Sequence, residues 1–395
     1  MPSLRLKEGR DRSVRRRHPW VFQSAIDRVE GDPSPGATVE ILSAHNEWLA
    51  RASFSPPSLI RARIWTWDET EQVGPDLIAR RWHSALAARE RWIQPGQVDA
   101  FREVNAESDG LPGIIVDRYG PYRVVQITTA GAEVWRTSLV ELLASQGGIQ
   151  GVYERSDVDV REREGLEPRT GILAGDVPSG QVEIQEYGLR FGADLREGQK
   201  TGFYLDQREN RRLLRSLVEG ADVLDCFAYT GGFSVAALSG SAGHVLAVES
   251  SAQALGIAEE NLARNGLARE HWEGRQADVF EELRHLRDRG QSFDAVILDP
   301  PRFAPTSAQV DRAARGYKDI NLLAFKLIRP GGLLITFSCS GGVEAALFQK
   351  IVAAAALDAG VEAKIQNWLG QPADHPVAIA FPEGRYLKGL VCRVG

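Results

Sequence analysis

The sequence predicts a multidomain α/β protein, and three features of the chain support this. Short alternating β-type runs occupy its beginning, strands flank a helix in its middle, and helices alternate with buried strands from residue 206 onward. Because alternation of helix and buried strand indicates a parallel sheet, we expect the last part to bind its ligand at the carboxyl ends of the strands. A chain of 395 residues exceeds one ordinary core, so we predict domains at 1–72, 73–190 and 191–395.

The predicted elements before residue 200 are mostly strands. Their pattern is typical of a small β-rich module followed by an α+β segment, and the α+β segment carries no catalytic signature. The predicted strands span 38–42, 60–65, 101–105, 114–117, 123–128, 151–155, 181–185 and 189–193, with helices over 76–92 and 132–145.

The later elements follow the helix–strand alternation. Predicted strands cover 221–225, 244–248, 295–298, 332–337 and 389–394, with a short further strand closed by Asp278, and predicted helices cover 207–218, 233–238, 252–265 and 320–327. The glycine loop between the first of these strands and its helix is neither a GxGxxG motif nor a P-loop, which disfavours dinucleotides and ATP.

Composition limits the class of protein. Apolar residues make up 43% and charged residues 25% of the chain, as in soluble globular proteins. Cys226, Cys339 and Cys392 are too few and too scattered for a disulfide framework or a zinc site, so we predict no metal and a cytoplasmic location. The arginine-rich start lacks a signal-type apolar segment, and no run is long enough to span a membrane.

A basic patch at the start of the chain contrasts with a net charge of −6. Arginines with aromatic neighbours can bind phosphates and stack on bases, and a solvated basic terminus is the alternative. The predicted RNA-binding residues are Arg12, Arg15, Arg16, Arg17, His18 and Trp20.

Three acids at the predicted ends of successive strands indicate a cofactor site. Glu249 can accept hydrogen bonds from ribose hydroxyls, Asp278 can accept the amine of an adenine, and Asp225 faces the amino acid end of the ligand. Such a set suits the cationic S-adenosylmethionine and would repel a pyrophosphate. The alternative for each acid is that it caps the following helix.

Two further predicted loops, one after each of the strands at 295–298 and 332–337, carry residues that could take part in the reaction. The run from Asp299 to Phe303 can hold a planar nitrogenous group through its carboxylate and its fixed proline backbone. Carbon 5 of a pyrimidine is a weak nucleophile, and addition of the Cys339 thiolate at carbon 6 would activate it. Asp299 would then bind the N3/N4 edge of cytosine, and a base within a helix would have to be flipped out.

Several runs closely resemble the bacterial ribosomal large subunit methyltransferase I family. They are 16–22, 105–113, 200–208, 299–303, 338–340, 374–376 and 381–388. The resemblance implies an N-terminal PUA domain, a central α+β domain of the strand-strand-helix-strand-strand type and a C-terminal class I, Rossmann-like methyltransferase domain. It also implies methylation of cytosine carbon 5 in 23S rRNA, either naked or in a large-subunit assembly intermediate, and we include a homodimer among the predicted partners.

By position in the family, Cys339 corresponds to the nucleophile and Asp299 to its partner, while Tyr204 and Gln207 lie in a motif expected to cover the cofactor. The predicted cofactor contacts are Asp225, Phe227, Tyr229, Gly231, Gly232, Phe233, Glu249, Ser250, Asp278, Val279, Asp299, Tyr204 and Gln207.

Three questions stay open at this point. Pro301 occupies the loop in which many RNA cytosine-5 methyltransferases carry a second cysteine, so the base that removes the carbon 5 proton is unassigned, with His375 a candidate. A guanine-methylating branch with asparagine in place of Cys339 is the nearest rival. An RNA-binding ribosome-assembly factor with a vestigial cofactor site is the rival from another class.

Overall fold

The computed structural model describes residues 1–93, 96–303 and 310–395. These residues form two compact units. The first unit contains residues 1–184, 193–205 and 373–384, and the second contains residues 185–192, 206–372 and 385–395.

The first unit begins with a sheet in the strand order β2-β6-β5-β4-β1-β3. Its elements are β1 (Ser3–Leu6), α1 (Arg12–Arg15), β2 (Trp20–Phe22), β3 (Ile26–Glu30), β4 (Thr38–Leu42), β5 (Trp48–Phe54) and β6 (Ile60–Thr66). Alternate residues of β1 and β4, such as Leu4, Leu6, Val39 and Ile41, form its core, as expected for strands with one buried face. The predicted β-rich module is therefore confirmed.

The second layer of this unit is a sheet in the order β11-β10-β9-β8-β7, covered by α2. Its elements are α2 (Pro75–Glu90), β7 (Ala100–Asn105), β8 (Ile114–Tyr119), β9 (Tyr122–Ile127), α3 (Ala130–Glu133), α4 (Arg136–Ala144), β10 (Gly151–Ser156), α5 (Val160–Arg163) and β11 (Arg169–Gly175). The predicted hairpin is the antiparallel pair β7–β8, whereas the helix predicted over 132–145 is two shorter helices, α3 and α4.

Buried ion pairs connect the strands of this layer. Arg123 donates from Nε to Oε2 of Glu103 at 2.8 Å, and both side chains are almost completely buried. Arg102 binds both carboxylate oxygens of Asp117, at 2.7 and 2.9 Å. Because loss of one partner would leave a buried charge without compensation, removal of either member of a pair should strongly destabilise this layer.

The two strands predicted over 181–185 and 189–193 are present as β12 (Val182–Glu186) and β13 (Leu189–Ala193), and they pair with each other as a hairpin. Two of the boundaries between the units lie within this hairpin, after residues 184 and 192. The predicted domain boundaries near residues 72 and 190 stay a prediction.

The second unit is built on a sheet in the order β16-β15-β14-β17-β18-β20-β19. Its elements are α6 (Arg208–Arg215), β14 (Asp222–Cys226), α7 (Gly232–Ser239), β15 (His244–Glu249), α8 (Ala252–Arg264), β16 (Trp272–Gln276), α9 (Val279–Asp288), β17 (Phe293–Leu298), α10 (Val310–Leu327), β18 (Ile328–Ser338), α11 (Ala345–Ala359), β19 (Ala363–Gly370) and β20 (Lys388–Val394).

The predicted parallel sheet is confirmed for the run from β16 to β18, while β20 pairs antiparallel with both β18 and β19. The strand order reverses at β14, which lies between β15 and β17. Open α/β sheets bind ligands at such a reversal, beside the carboxyl ends of the strands. The helix that follows β14 is buried over almost its whole length, so its start is fixed at this edge.

Candidate active site

The loop between β14 and α7 has an unusual backbone. Phe227 and Tyr229 have positive φ angles of 61° and 47°, which non-glycine residues rarely adopt. Gly231, at φ 74°, precedes α7, and a Cβ there would lie 2.7 Å from the Cβ of Ala258. Strained residues of this kind concentrate at ligand sites, which supports the prediction that this loop binds the cofactor.

Asp225 lies inside the site and is only 1% exposed. Its Oδ2 accepts a hydrogen bond from Ser234 Oγ at 2.7 Å. Burial, with smaller contributions from the carboxylates of Asp299 and Glu249, raises the pKa of Asp225 to about 7, although the hydrogen bonds from Ser234 lower it. Three of the predicted acids therefore share one local electrostatic environment, which favours a cationic ligand.

Glu249 is the last residue of β15, as predicted, and its carboxylate is fixed by the protein. One oxygen accepts from the Tyr229 amide at 3.0 Å, and the other accepts from the Ser251 amide at 2.9 Å and the Ser250 hydroxyl at 3.0 Å. Each carboxylate oxygen can accept more than one hydrogen bond. Tyr229 and Ser250 thus orient the acid predicted to bind ribose.

Asp278 takes the position given by the alternative interpretation. Its Oδ1 accepts from the Glu281 amide at 3.1 Å and caps α9. The expectation that Asp278 closes a strand is wrong, because β16 ends at Gln276. Val279 is buried in the core at 4% exposure, whereas the half-buried Phe280 lies edge-on to Phe227, with ring centroids 6.4 Å apart. Contact of Asp278 and Val279 with the cofactor stays a prediction.

Three of the remaining predicted cofactor residues lie in the second unit, and Tyr204 lies in the first. Gly232 begins α7, and Phe233 is 6% exposed and stacks on Phe337 of β18 at 5.6 Å. Gln207 is buried in the second unit and accepts from Asn210 Nδ2 at 2.6 Å. Tyr204 belongs to the first unit, where the Lys200 ammonium lies 4.5 Å from its ring centroid, so its role as a cofactor cover stays a prediction.

The two reacting residues lie after neighbouring strands. Asp299 follows β17 and Cys339 follows β18, and these strands are parallel, with Leu298 opposite Thr336. The Sγ of Cys339 lies 4.0 Å from the carbonyl oxygen of Pro300. Cys339 is half-buried, whereas the other two cysteines of the chain are buried. The structure thus brings the predicted nucleophile and the Asp299 loop together.

Four residues of this edge had no predicted role. Ser234 binds Asp225, and the hydroxyls of Tyr317 and Ser340 are 3.0 Å apart. Lys388, at the start of β20, donates from Nζ to the Ser340 carbonyl oxygen at 2.7 Å. In the sequence, only the motif at 381–388 included this lysine. Its contact with Ser340 depends on the pairing of β20 with β18, which are distant in the sequence.

The predicted RNA-binding arginines are exposed but differ in their partners. Arg15 forms ion pairs with Asp11, at 2.6 Å, and with Glu47. Arg17 lies over the ring of Trp67, 5.5 Å from its centroid. Arg12 and Arg16 are exposed at either end of α1. A positive charge already paired with two acids contributes less to phosphate binding, so Arg12 and Arg16 are the stronger candidates.

His18 and Trp20 lie in a half-buried aromatic cluster. The Trp20 ring meets Phe381 edge-on at 4.8 Å, and its Nε1 donates to Glu107 at 2.8 Å. His18 Nε2 lies 3.2 Å from Glu383. The other ring nitrogen of His18, Nδ1, accepts from the Trp20 amide at 3.2 Å. Stacking of His18 or Trp20 on RNA bases stays a prediction.

The same unit contains a groove that was not predicted, with a volume of about 830 Å³. Its lining combines the basic side chains of Lys7, Arg28 and Arg61 with the exposed apolar side chains of Phe22 and Leu59. Basic groups interleaved with an aromatic ring are a common basis of single-stranded nucleic acid binding. Its residues are scattered over several strands, which explains why the sequence alone did not reveal it.

His375, the candidate base, is 2% exposed in the first unit, with its Nδ1 3.4 Å from Asp374. Within the described parts of the chain, no group of His, Cys, Asp and Glu side chains is suited to hold a metal ion. Across the same residues, none of the helices combines the length and the apolar character needed to cross a bilayer.

Comparison with known proteins identifies relatives over the whole chain. Residues 160–376 match a family model of S-adenosylmethionine-dependent methyltransferases, and residues 4–67 match a PUA-like domain. The chain is 49% identical over 391 residues to ribosomal RNA large subunit methyltransferase I of Shewanella amazonensis, and 50% identical over 392 residues to that of Aeromonas hydrophila. Each alignment covers 99% of both chains.

Two solved structures share the fold over the full length of both chains. One is a proposed SAM-dependent methyltransferase from Streptococcus mutans, with 20% identity and a TM-score of 0.86. The other is a proposed methyltransferase complexed with SAH, with 20% identity and a TM-score of 0.87.

Proposed function

Because the chain belongs to the ribosomal RNA large subunit methyltransferase I family, we propose that it methylates carbon 5 of a cytosine in 23S rRNA. The protein is an S-adenosylmethionine-dependent methyltransferase. The observation that carries the choice of carbon 5 is the half-buried thiol of Cys339, beside the backbone of the Asp299 loop. We also propose that the protein acts in the cytoplasm, on naked rRNA or on an assembly intermediate.

The acidic site fits the cofactor. A buried carboxylate whose pKa is raised to about 7 gains from a cation beside it, and S-adenosylmethionine carries a sulfonium and an ammonium. Asp225 and the strained loop would hold the amino acid end, Glu249 the ribose, and Asp278 with Phe280 the adenine. When bound, the cofactor supplies an electrophilic methyl group.

Cys339 supplies the activation that a pyrimidine needs. Its thiolate forms a bond to carbon 6, and the electrons of the carbon 5–carbon 6 double bond make carbon 5 nucleophilic. Asp299 holds the N3/N4 edge of the ring and stabilises the charge that develops there. After carbon 5 is methylated, it loses its proton, the bond between sulfur and carbon 6 breaks, and the thiolate leaves.

The first unit supplies the RNA contacts in this proposal. Arg12 and Arg16 are exposed cations that can bind phosphates, and the groove lined by Lys7, Arg28 and Arg61 can hold an unpaired strand. A target base must leave its stack to reach a thiol at a sheet edge. Single-stranded or loop cytosines are therefore the expected substrates.

Transfer of labelled methyl groups to rRNA from a strain that lacks the gene tests the proposal. We expect label on cytosine carbon 5, complete loss with Cys339→Ala, and retained transfer with Cys392→Ala, which alters a buried cysteine. Full turnover by Cys339→Ala would refute the covalent route. Label on guanine would instead favour the guanine-methylating alternative, and rRNA binding without any methylation would favour the assembly factor.

A further inference from the structure

Lys388 is a buried lysine at the edge that carries the proposed nucleophile. It is 5% exposed and begins β20, directly opposite Ser338, the last residue of β18. Its Nζ donates to the carbonyl oxygen of Ser340 at 2.7 Å. The side chain therefore reaches past the end of β18 and holds the residue that follows Cys339.

The buried surroundings of Lys388 disfavour its charged form. Burial, with smaller contributions from the charges of Arg302 and Arg385, lowers the pKa of Lys388 to about 8. Of the charges acting on the amine, that of Cys339 acts in the opposite direction and favours the ammonium form. Lysine is among the residues least often fully buried, so a simple structural role is a poor explanation.

Besides Lys388 and the neighbouring Asp299 loop, this turn contacts Tyr317, whose hydroxyl is neutral near physiological pH. The Tyr317 hydroxyl of α10 lies 3.0 Å from Ser340 Oγ, and burial raises the pKa of Tyr317. Tyr317 thus offers a hydrogen bond without a charge. The ammonium of Lys388 is a buried positive charge that is hydrogen-bonded to the residue after Cys339.

We propose that Lys388 is a positioning residue for Cys339, whose ammonium fixes the Ser340 carbonyl and favours the thiolate form of the neighbouring cysteine. An opposite charge close to a thiol stabilises its anion, as at other activated cysteines. This inference rests on the proposed function, because it assumes that Cys339 reacts as a thiolate.

The test is the pH dependence of Cys339 alkylation by iodoacetamide in the full-length protein, measured without RNA or cofactor. Cys226 and Cys392 are 0% and 3% exposed, and burial raises the pKa of both thiols, to about 11 for Cys392. Peptide mapping therefore reports a rate that belongs to Cys339. We expect Lys388→Met to raise the pH at which the alkylation rate is half-maximal by about one unit. This shift corresponds to about a tenfold loss of rate at pH 7.

Three variants separate charge from packing. Lys388→Gln keeps a donor for the Ser340 carbonyl but no charge, so it should shift the midpoint like the Met variant, while Lys388→Arg should restore it. Lys364→Met, which alters an exposed lysine of β19 in the same sheet, should leave it unchanged. A wild-type midpoint in Lys388→Gln, or a shifted one in Lys388→Arg, would overturn the proposal.

The outcome is independent of the methylation assay. If alkylation follows Lys388 as expected while Cys339→Ala still methylates RNA, the proposed function fails and the coupling of Lys388 to Cys339 stands. If Cys339→Ala is inactive while substitution of Lys388 leaves the alkylation profile unchanged, the proposed function stands and the coupling of Lys388 to Cys339 fails.

Discussion

Replacement of Asp225 by asparagine should stabilise the protein and weaken cofactor binding. The carboxylate is 1% exposed, and its pKa rises from the usual 3.8 to about 7 in the folded state. Between these values the folded protein binds a proton that the unfolded chain has lost, so the stability contributed by this group falls as the pH rises. At 1.36 kcal/mol per unit, the cost approaches about 4 kcal/mol above pH 7 and is about 1.6 kcal/mol at pH 5.

Asparagine keeps an acceptor for Ser234 and removes this cost. Without cofactor, we expect Asp225→Asn to raise the Tm at pH 8 by about 8 °C, at roughly 2 °C per kcal/mol for a domain of this size. The gain should be clearly smaller at pH 5. Scanning calorimetry at both pH values measures it, and isothermal titration should show weaker S-adenosylmethionine binding at pH 8.

Asp294 provides a matched control in the adjacent strand β17. Although desolvation acts in the opposite direction, the Asp222 amide and Arg329 lower the pKa of Asp294. Its contribution to stability is therefore present above the usual pKa of an aspartate and is lost as the pH falls below it, so Asp294→Asn should not stabilise the protein at pH 8. An Asp225→Asn variant with an unchanged Tm at pH 8, or with full cofactor affinity, would refute the reasoning.

Three further predictions concern the loop, the RNA contacts and the buried ion pairs. Gly231→Ala places a Cβ 2.7 Å from a carbon of α8 at a positive φ. It should therefore lower the free energy of unfolding by about 1–3 kcal/mol, which a lower Tm would show, and weaken cofactor binding in titration. Arg16→Gln should weaken rRNA binding and reduce the slope of log affinity against log salt by about 1 in filter binding, whereas Arg15→Gln should change it less because two acids already pair with that arginine. Glu103→Gln should destabilise the first unit by about 3–5 kcal/mol in urea unfolding, since it leaves a buried guanidinium without its partner, and a loss below 1 kcal/mol would contradict this.

The sequence predicted the sheet of the second unit well because buried parallel strands are continuous apolar runs between helices. It predicted α10 too short, over 320–327, although the helix extends from Val310. Gly316 interrupts the helical signal, yet a Cβ there would lie only 3.3 Å from the ring of Phe303, so tertiary packing accounts for the glycine. The helix α11 and the edge strand β19 were not predicted, and only one residue of β19 is buried, which weakens its pattern.

For the candidate site, the sequence predicted which residues follow the strands but not the contacts that those residues make. Successive strands bring Asp225, Glu249 and Asp299 to one edge, and that follows from the parallel pattern. The hydrogen bond that Asp225 accepts depends on how the buried helix α7 presents Ser234. The contact of Lys388 depends on an antiparallel strand added after the parallel part. Such effects arise from packing between distant segments and leave no local signature.

Trapping with rRNA that contains 5-fluorocytosine tests the central claim most directly. The covalent route requires loss of a proton from carbon 5, and fluorine cannot leave in its place, so the bond between sulfur and carbon 6 persists. With S-adenosylmethionine present, we expect a protein–RNA adduct that survives denaturing electrophoresis and maps to Cys339, and that is absent in Cys339→Ala. Methylation of unsubstituted rRNA without any adduct on the fluorinated RNA would contradict the account.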